Sequence, residues 1–289
     1  MVQAKEYSLS AEGIAAALTD VIPSCACNLR PDILSALEDA LDREQGSRGR
    51  QVLQQLLENA RIASRDQVPV CQDTGTVRVI LEVGPEVAVP AGIFSKVDEA
   101  VSQAFVDAHL RMSTLRDALF DRSNPGTNTP AFCEVDFSQR PGARLHVMLK
   151  GGGSDNASRV CMLAPGAGME GVQQVVLDAV REKASSACPP LVIGVGVGST
   201  YDEVAKLAKR ALFRSIGSPA ASEEAAAFET EMLDKVNALC LGPGALGGSC
   251  TALAVHLVTA PCHIAALPVA VNLGCCAMRS VDIELEVGA

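Results

Sequence analysis

Three cysteines lie far apart in the sequence and in unlike settings: Cys71 in VPVCQDTGT, Cys188 in ACPPLVIGVGVGST and Cys275 in LPVAVNLGCCAMRS. Each adjoins an apolar run and sits close to Gly or Pro, which predicts a strand end or a turn. Three thiolates converging on one point would force the parts of the chain that carry them into one packed body. No other feature constrains the fold as strongly. The donor set points to an iron–sulfur cluster rather than a zinc knot, because structural zinc pairs its ligands at CxxC or HxxxH spacing and no such pair occurs. A cubane held by three cysteines leaves one iron without a protein ligand, open to substrate as a Lewis acid.

Hydrophobic periodicity supplies the rest of the architecture. Ile14, Leu18, Val21 and Ile22 recur at helical spacing, as do Ile33, Leu34, Leu37 and Leu41, then Val52, Leu53, Leu56, Leu57 and Ala60, with Gly46 and Gly49 separating the last two helices. Val77–Val83 reads as a strand, and Val97, Val101, Ala104 and Phe105 mark another helix. From about residue 125 strands (145–149, 191–197, 253–258, 264–271) alternate with helices (172–184, 202–216, 221–239). The expected fold is therefore α/β of the mixed α+β kind. A helical N-terminal lobe, to about residue 124, would pack on an α/β part, from about 125 to 289, in a single domain. No low-complexity linker or fixed-period repeat divides the chain.

Tryptophan is absent and aromatics are only 3%, so the core must be aliphatic. A net charge of −10 with no Lys/Arg stripe argues against a nucleic-acid partner. The N-terminus lacks a signal-peptide core, and the longest weakly charged stretch, 264–278, is too short to span a bilayer. Eleven cysteines without disulfide-scaffold spacing fit a reduced, cytoplasmic protein with mostly free thiols.

The segments PVCQDTG, KGGGSDN, CPPLVIGVGVG and PCHIAALPVAV follow one another in an order that resembles the class I (iron–sulfur) fumarase and tartrate dehydratase family. The similarity covers Val68–Thr76, Asn124–Pro130, Lys150–Pro165, Cys188–Leu212 and Gly242–Arg279, most of the chain beyond its first sixty or so residues. The resemblance implies a [4Fe–4S] cluster on Cys71, Cys188 and Cys275. The register on PVAVNLGC selects Cys275 over its neighbour Cys276.

It also assigns roles to residues that have plainer readings. Gln72 would bind a substrate carboxylate and Asp73 would belong to the acid/base apparatus, although QDTG is also an ordinary turn. His263, in APCHIA, would be catalytic, where an isolated histidine is more often structural. Arg111, in AHLRMST, matches an arginine that clamps a substrate carboxylate; the alternative is a solvated arginine on a helix face. Among the glycines after Lys150, Gly152 matches a substrate contact. The Gly194–Ser199 turn fails the dinucleotide fingerprint because Ser199 stands where the third glycine belongs; it can still offer backbone N–H groups to a cluster sulfide or a carboxylate, with tight strand–helix packing as the competing reading. The chain departs from many relatives at Ser249-Cys250, Ala254 and Cys262, none of them ligands.

The implied activity is reversible hydration or dehydration of a small dicarboxylic hydroxy acid, fumarate/malate or L-tartrate, by the α subunit of a split hydro-lyase. No residue here suits the carbon-side base, so a β subunit is expected to supply it, with a homodimer of the α chain as a further expected assembly. With the third ligand so near residue 289, no fused second domain is expected. A non-catalytic iron–sulfur protein, or a thiol-based metal-binding or redox-sensing protein, is the alternative. Its nearest candidate pair is Cys25-Ala-Cys27.

Overall fold

The structure, a computed structural model, describes residues 6–287. The chain forms two compact units that are interleaved in sequence. The first contains the N-terminal segment through Leu29, Ile62–Gly151 and the chain from Arg279 onward; the second contains Arg30–Arg61 and Gly152–Met278. Both combine helices with a mixed sheet, which is the α/β class expected.

In the first unit, helix α1 (Ala11–Cys27) starts at Ser10, whose Oγ accepts the Gly13 N–H at 3.0 Å. The sheet runs β1 (Tyr7–Ser8), β9 (Arg279–Glu286), β4 (Ala143–Lys150), β2 (Thr76–Val83), β3 (Phe132–Phe137). Strand β4 is antiparallel to both its neighbours, while β3 runs parallel to β2. Alternation does the sorting. Val77, Val79, Leu81 and Val83 of β2, with Leu145, Val147 and Leu149 of β4, are buried in one core with Ile14, Leu18 and Ile22 of α1 and with Val101 and Phe105 of α4 (Val97–Asp107).

In the second unit the sheet order is β5 (Arg159–Leu163), β8 (Leu267–Gly274), β6 (Leu191–Ser199), β7 (Ala252–Cys262). Helices α6 (Gly168–Lys183) and α8 (Glu223–Asn237) bury Val176, Val180, Met232 and Val236 against Ile193, Val195, Val255, Val271 and Leu273. Helix α7 (Val204–Ala211) packs on the sheet at glycines: a methyl at Gly194 would lie 2.1 Å from the Ala208 carbonyl oxygen, and one at Gly196 2.6 Å from that of Val204. Close strand–helix packing is what these glycines provide.

Several boundaries differ from the sequence reading. The strand expected over 191–197 runs on to Ser199, so the Gly-rich stretch is strand throughout and forms no separate turn. Gly49 lies inside α3 (Ser47–Asp66), and the break from α2 (Pro31–Arg43) falls at Glu44–Gly46, where the Glu44 carboxylate accepts the Gly46 N–H at 2.8 Å. Helix α7 ends at Ala211 rather than reaching 216, because i→i+3 bonds tighten the next turn and the Arg30 guanidinium takes the Leu212 and Arg214 carbonyls. Residues 263–266 are a turn, closed by the Ala266 N–H to the His263 carbonyl, so β8 starts only at Leu267. Strands β1, β3, β5 and β9 and the short helix α5 (Gly152–Asn156) were not anticipated. No helix among the described residues is long and apolar enough to cross a membrane.

Candidate active site

The three cysteines all lie outside helices and strands, each at a strand end: Cys71 ahead of β2, Cys188 just before β6, Cys275 immediately after β8. In the first unit, the turn from Cys71 to Gly75 carries a thiol, a carboxamide and a carboxylate on successive residues. The Asp73 N–H donates to Cys71 Sγ at 3.4 Å, and Cys71 Sγ lies 3.5 Å from Gln72 Oε1. Asp73 Oδ1 accepts the Gly75 N–H at 3.1 Å, closing an Asx-type turn. Gly75 sits at φ +82°, and a side chain there would meet the Lys150 carbonyl carbon and oxygen at 2.6 Å. Only glycine lets the turn approach β4 so closely. Of the glycines that follow Lys150, Gly151 lies against this carboxylate: a methyl there would stand 3.3 Å from Asp73 Oδ2.

Two arginines converge on Asp73. Arg111 Nη2 reaches Oδ1 at 3.3 Å. The residue lies beyond the end of α4, past His109 at φ +53°, so the helix-face reading does not hold. Arg279, the first residue of β9 and 1% exposed, donates from Nη2 to the Asp73 main-chain oxygen at 2.7 Å. Sequence reasoning missed Arg279, because nothing near position 279 signals a partner 206 residues away.

In the second unit, the Cys276 N–H donates to the Cys188 carbonyl at 3.0 Å and so joins the segments that carry Cys188 and Cys275. Cys188 is exposed and held at φ +54°, a left-handed conformation that L-residues seldom adopt and that often marks a functional position. Gly152 opens α5. His263 is exposed in the β7–β8 turn, where Nδ1 accepts the Ala265 N–H at 3.1 Å. That bond puts the proton of the neutral ring on Nε2. His256, by contrast, is buried in β7 with Nδ1 3.1 Å from the Ala211 carbonyl. Burial, then the Arg214 charge, lowers its pKa.

The family profile of fumarate hydratase (Fumerase) matches residues 15–284. The chain belongs to this family. It is 35% identical over 278 residues to the putative L(+)-tartrate dehydratase subunit alpha of Methanocaldococcus jannaschii, covering 94% of this chain and 97% of that one. It is 31% identical over 252 residues to the L(+)-tartrate dehydratase subunit alpha of Escherichia coli K12, covering 86% and 82%.

Class I members of the family generally depend on an iron–sulfur cluster, and the donors present suit one. Cys71, Cys188 and Cys275 are thiols outside any disulfide with at least partial exposure, and Cys71 Sγ already accepts a main-chain N–H, the kind of bond that steadies a thiolate. Among the described residues no three His, Cys, Asp or Glu side chains are grouped as ligands of a single ion. Ligands of a cubane bind different irons and stand further apart than that. Cys25 and Cys27, the pair a thiol-based sensor would use, are both buried, and burial pushes the Cys27 thiol up, away from reactivity.

Proposed function

We propose that this chain is the α-type subunit of a [4Fe–4S]-dependent hydro-lyase that adds water to, or removes it from, a small dicarboxylate. L-Tartrate is supported by the names of the relatives, and fumarate/malate by the family's description. The observation that carries the proposal is the Cys71–Gly75 turn, in which thiol, carboxamide and carboxylate occupy three successive residues with an arginine on the carboxylate. Cys71, Cys188 and Cys275 would hold the cluster. When bound, it supplies a Lewis-acidic iron that makes the substrate hydroxyl a better leaving group.

The remaining work falls to the chain. Arg111 offers a guanidinium to one substrate carboxylate, and the Gln72 amide and the Gly152 backbone would add further contacts to substrate. Asp73 holds or moves the proton at the hydroxyl oxygen, its own carboxylate oriented by the Gly75 N–H and Arg111. His263 carries its proton on Nε2, the tautomer that can donate to the same oxygen. A β subunit would contribute the carbon-side base and further cations, and a homodimer of this chain is compatible with that assembly. Free thiols suit a reducing, cytoplasmic setting.

The test is anaerobic co-expression with the β subunit, followed by assay on L-tartrate and fumarate. Serine at Cys71, Cys188 or Cys275 should abolish bound iron, whereas Cys276→Ser should retain it. Asp73→Asn and His263→Asn should keep the iron and lose about 10²-fold or more in turnover. Wild-type turnover in both would remove these residues from the reaction, and iron retained in all three serine variants would end the cluster reading.

A further inference from the structure

The segment Asn124–Pro130 (NPGTNTP) belongs to the stretches that carry the family resemblance, yet it has no part in the chemistry above. We propose that Asn128 is a positioning residue for Arg111. The inference rests on the reading of Arg111 as the clamp for a substrate carboxylate.

Arg111 cannot hold its own place. Its side chain is 58% exposed and its ion pair with Asp73 spans 3.3 Å. The main chain beneath it is held residue by residue instead. The Thr74 hydroxyl donates to the Arg111 carbonyl, and Asn124 Nδ2 donates to the Met112 carbonyl at 2.8 Å. Asn128 Oδ1 accepts the Ser113 N–H at 2.6 Å and the Thr114 hydroxyl at 3.4 Å. The other end of the same amide, Nδ2, donates to the Gly75 carbonyl at 3.1 Å. One fully buried side chain therefore ties the loop bearing the clamp to the turn bearing the carboxylate.

The residue type follows from this task. Asn128 sits at φ +54°, a conformation asparagine tolerates better than most residues, and it offers an acceptor and a donor on opposite sides of one planar group. Asp would lack the donor, and Ser would be too short to bridge both partners. Without the bridge the 111–114 segment loses its register on the Asp73 turn. Arg111 would then spend part of its time away from the carboxylate it binds. That loss falls on binding shared by the ground state and the transition state, so it raises KM more than it lowers kcat.

The experiment uses the assembled enzyme with Asn128→Gly, which removes the bridge and suits the left-handed backbone. KM should rise about 3- to 10-fold, the scale of one net hydrogen bond, with kcat changed much less and iron content retained. Hydrogen exchange at residues 111–114 should accelerate. The effect should also vanish in an Arg111→Ala background, since both changes then remove the same contact. A KM that stays put in Asn128→Gly while Arg111→Ala raises it would overturn the positioning role alone, as would effects that multiply in the double variant. If Arg111→Ala leaves KM unchanged, the clamp reading itself fails, and the exchange rates still report whether Asn128 holds the segment. Thr74→Val attacks the same loop from the other side and serves if Asn128→Gly does not fold. A wild-type KM in that variant counts against the proposal.

Discussion

Gly194→Ala should destabilise the protein by a predictable amount. The added methyl would lie 2.1 Å from the Ala208 carbonyl oxygen, almost 1 Å inside the 3.0 Å below which Cβ contacts essentially do not occur. The obstacle is helix backbone, with Leu212 Cγ a further 3.1 Å contact, so no rotamer change relieves it. Helix α7 can withdraw only by lifting Val204, Ala208 and Ala211, each 0–1% exposed, off the sheet. Overpacking costs about 1–3 kcal/mol, and a rigid obstacle puts this site at about 3 kcal/mol. For a chain of this size that lowers Tm by roughly 6–12 °C. Two other glycines in the same unit calibrate the result. Gly166 has nothing within 4 Å and no left-handed φ, so Gly166→Ala should stabilise by about 0.4–1 kcal/mol through the unfolded chain. Gly217 is equally open but sits at φ +82°, so its alanine variant should lose about 1 kcal/mol from backbone strain alone. Thermal unfolding followed by far-ultraviolet circular dichroism is the assay, since the chain has no tryptophan to report by fluorescence. A Gly194→Ala protein as stable as Gly166→Ala would refute the packing argument.

Two further expectations concern buried ionisable groups. Glu44 is 2% exposed and accepts from the Gly46 N–H, the Ser249 N–H and the Ser249 hydroxyl. Glu44→Ala should therefore cost about 3 kcal/mol in denaturant unfolding; a loss below about 0.5 kcal/mol would show that water replaces it. Burial is the largest single influence on its carboxyl and pushes it up, but the hydrogen bonds from Gly46, Ser249 and Cys250 together hold it below the ordinary 4.5. Its contribution is thus complete above that value and lost as pH falls through the folded-state value. His146 lies between Asp282 at 2.7 Å and Glu82 at 3.1 Å. Burial opposes its charge, yet the hydrogen bonds and charges of Asp282 and Glu82 raise it above 6.5. Its stabilisation is present below 6.5 and lost as pH rises through the raised value, so the Tm gap between wild type and His146→Gln should narrow as pH is taken upward from 6.5. A gap that widens over that range would reverse the assignment.

Local pattern was enough for the strands that alternate cleanly and the helices with a continuous apolar stripe. Strand β2, α4 and α6 were legible because each carries its own burial signal within one or two turns of chain. The candidate ligands and the QD pair were legible as motifs, since chemistry needs those residue types in that order whatever lies around them. The glycines of β6 were ambiguous because a glycine reports only that something comes close. Whether that is a ligand or helix α7 depends on residues 204–208, which the strand does not encode.

What the tertiary structure alone decided are the contacts between distant segments. The alternation of Val281, Ile283 and Leu285 is present in the sequence, but nothing there says that β9 pairs with β4 and so carries Arg279 to the Asp73 carbonyl. For Arg111 the sequence left the helix-face arginine open as an alternative to the carboxylate clamp, and only the structure shows its loop leaving the helix and held by Thr74, Asn124 and Asn128. The interleaving of the two units is likewise invisible along the chain, because each is assembled from segments that meet only after folding. Periodicity records which side of an element faces apolar surroundings. Which partner supplies them is set by packing and by the need to pair every buried polar group, and both are properties of the whole unit.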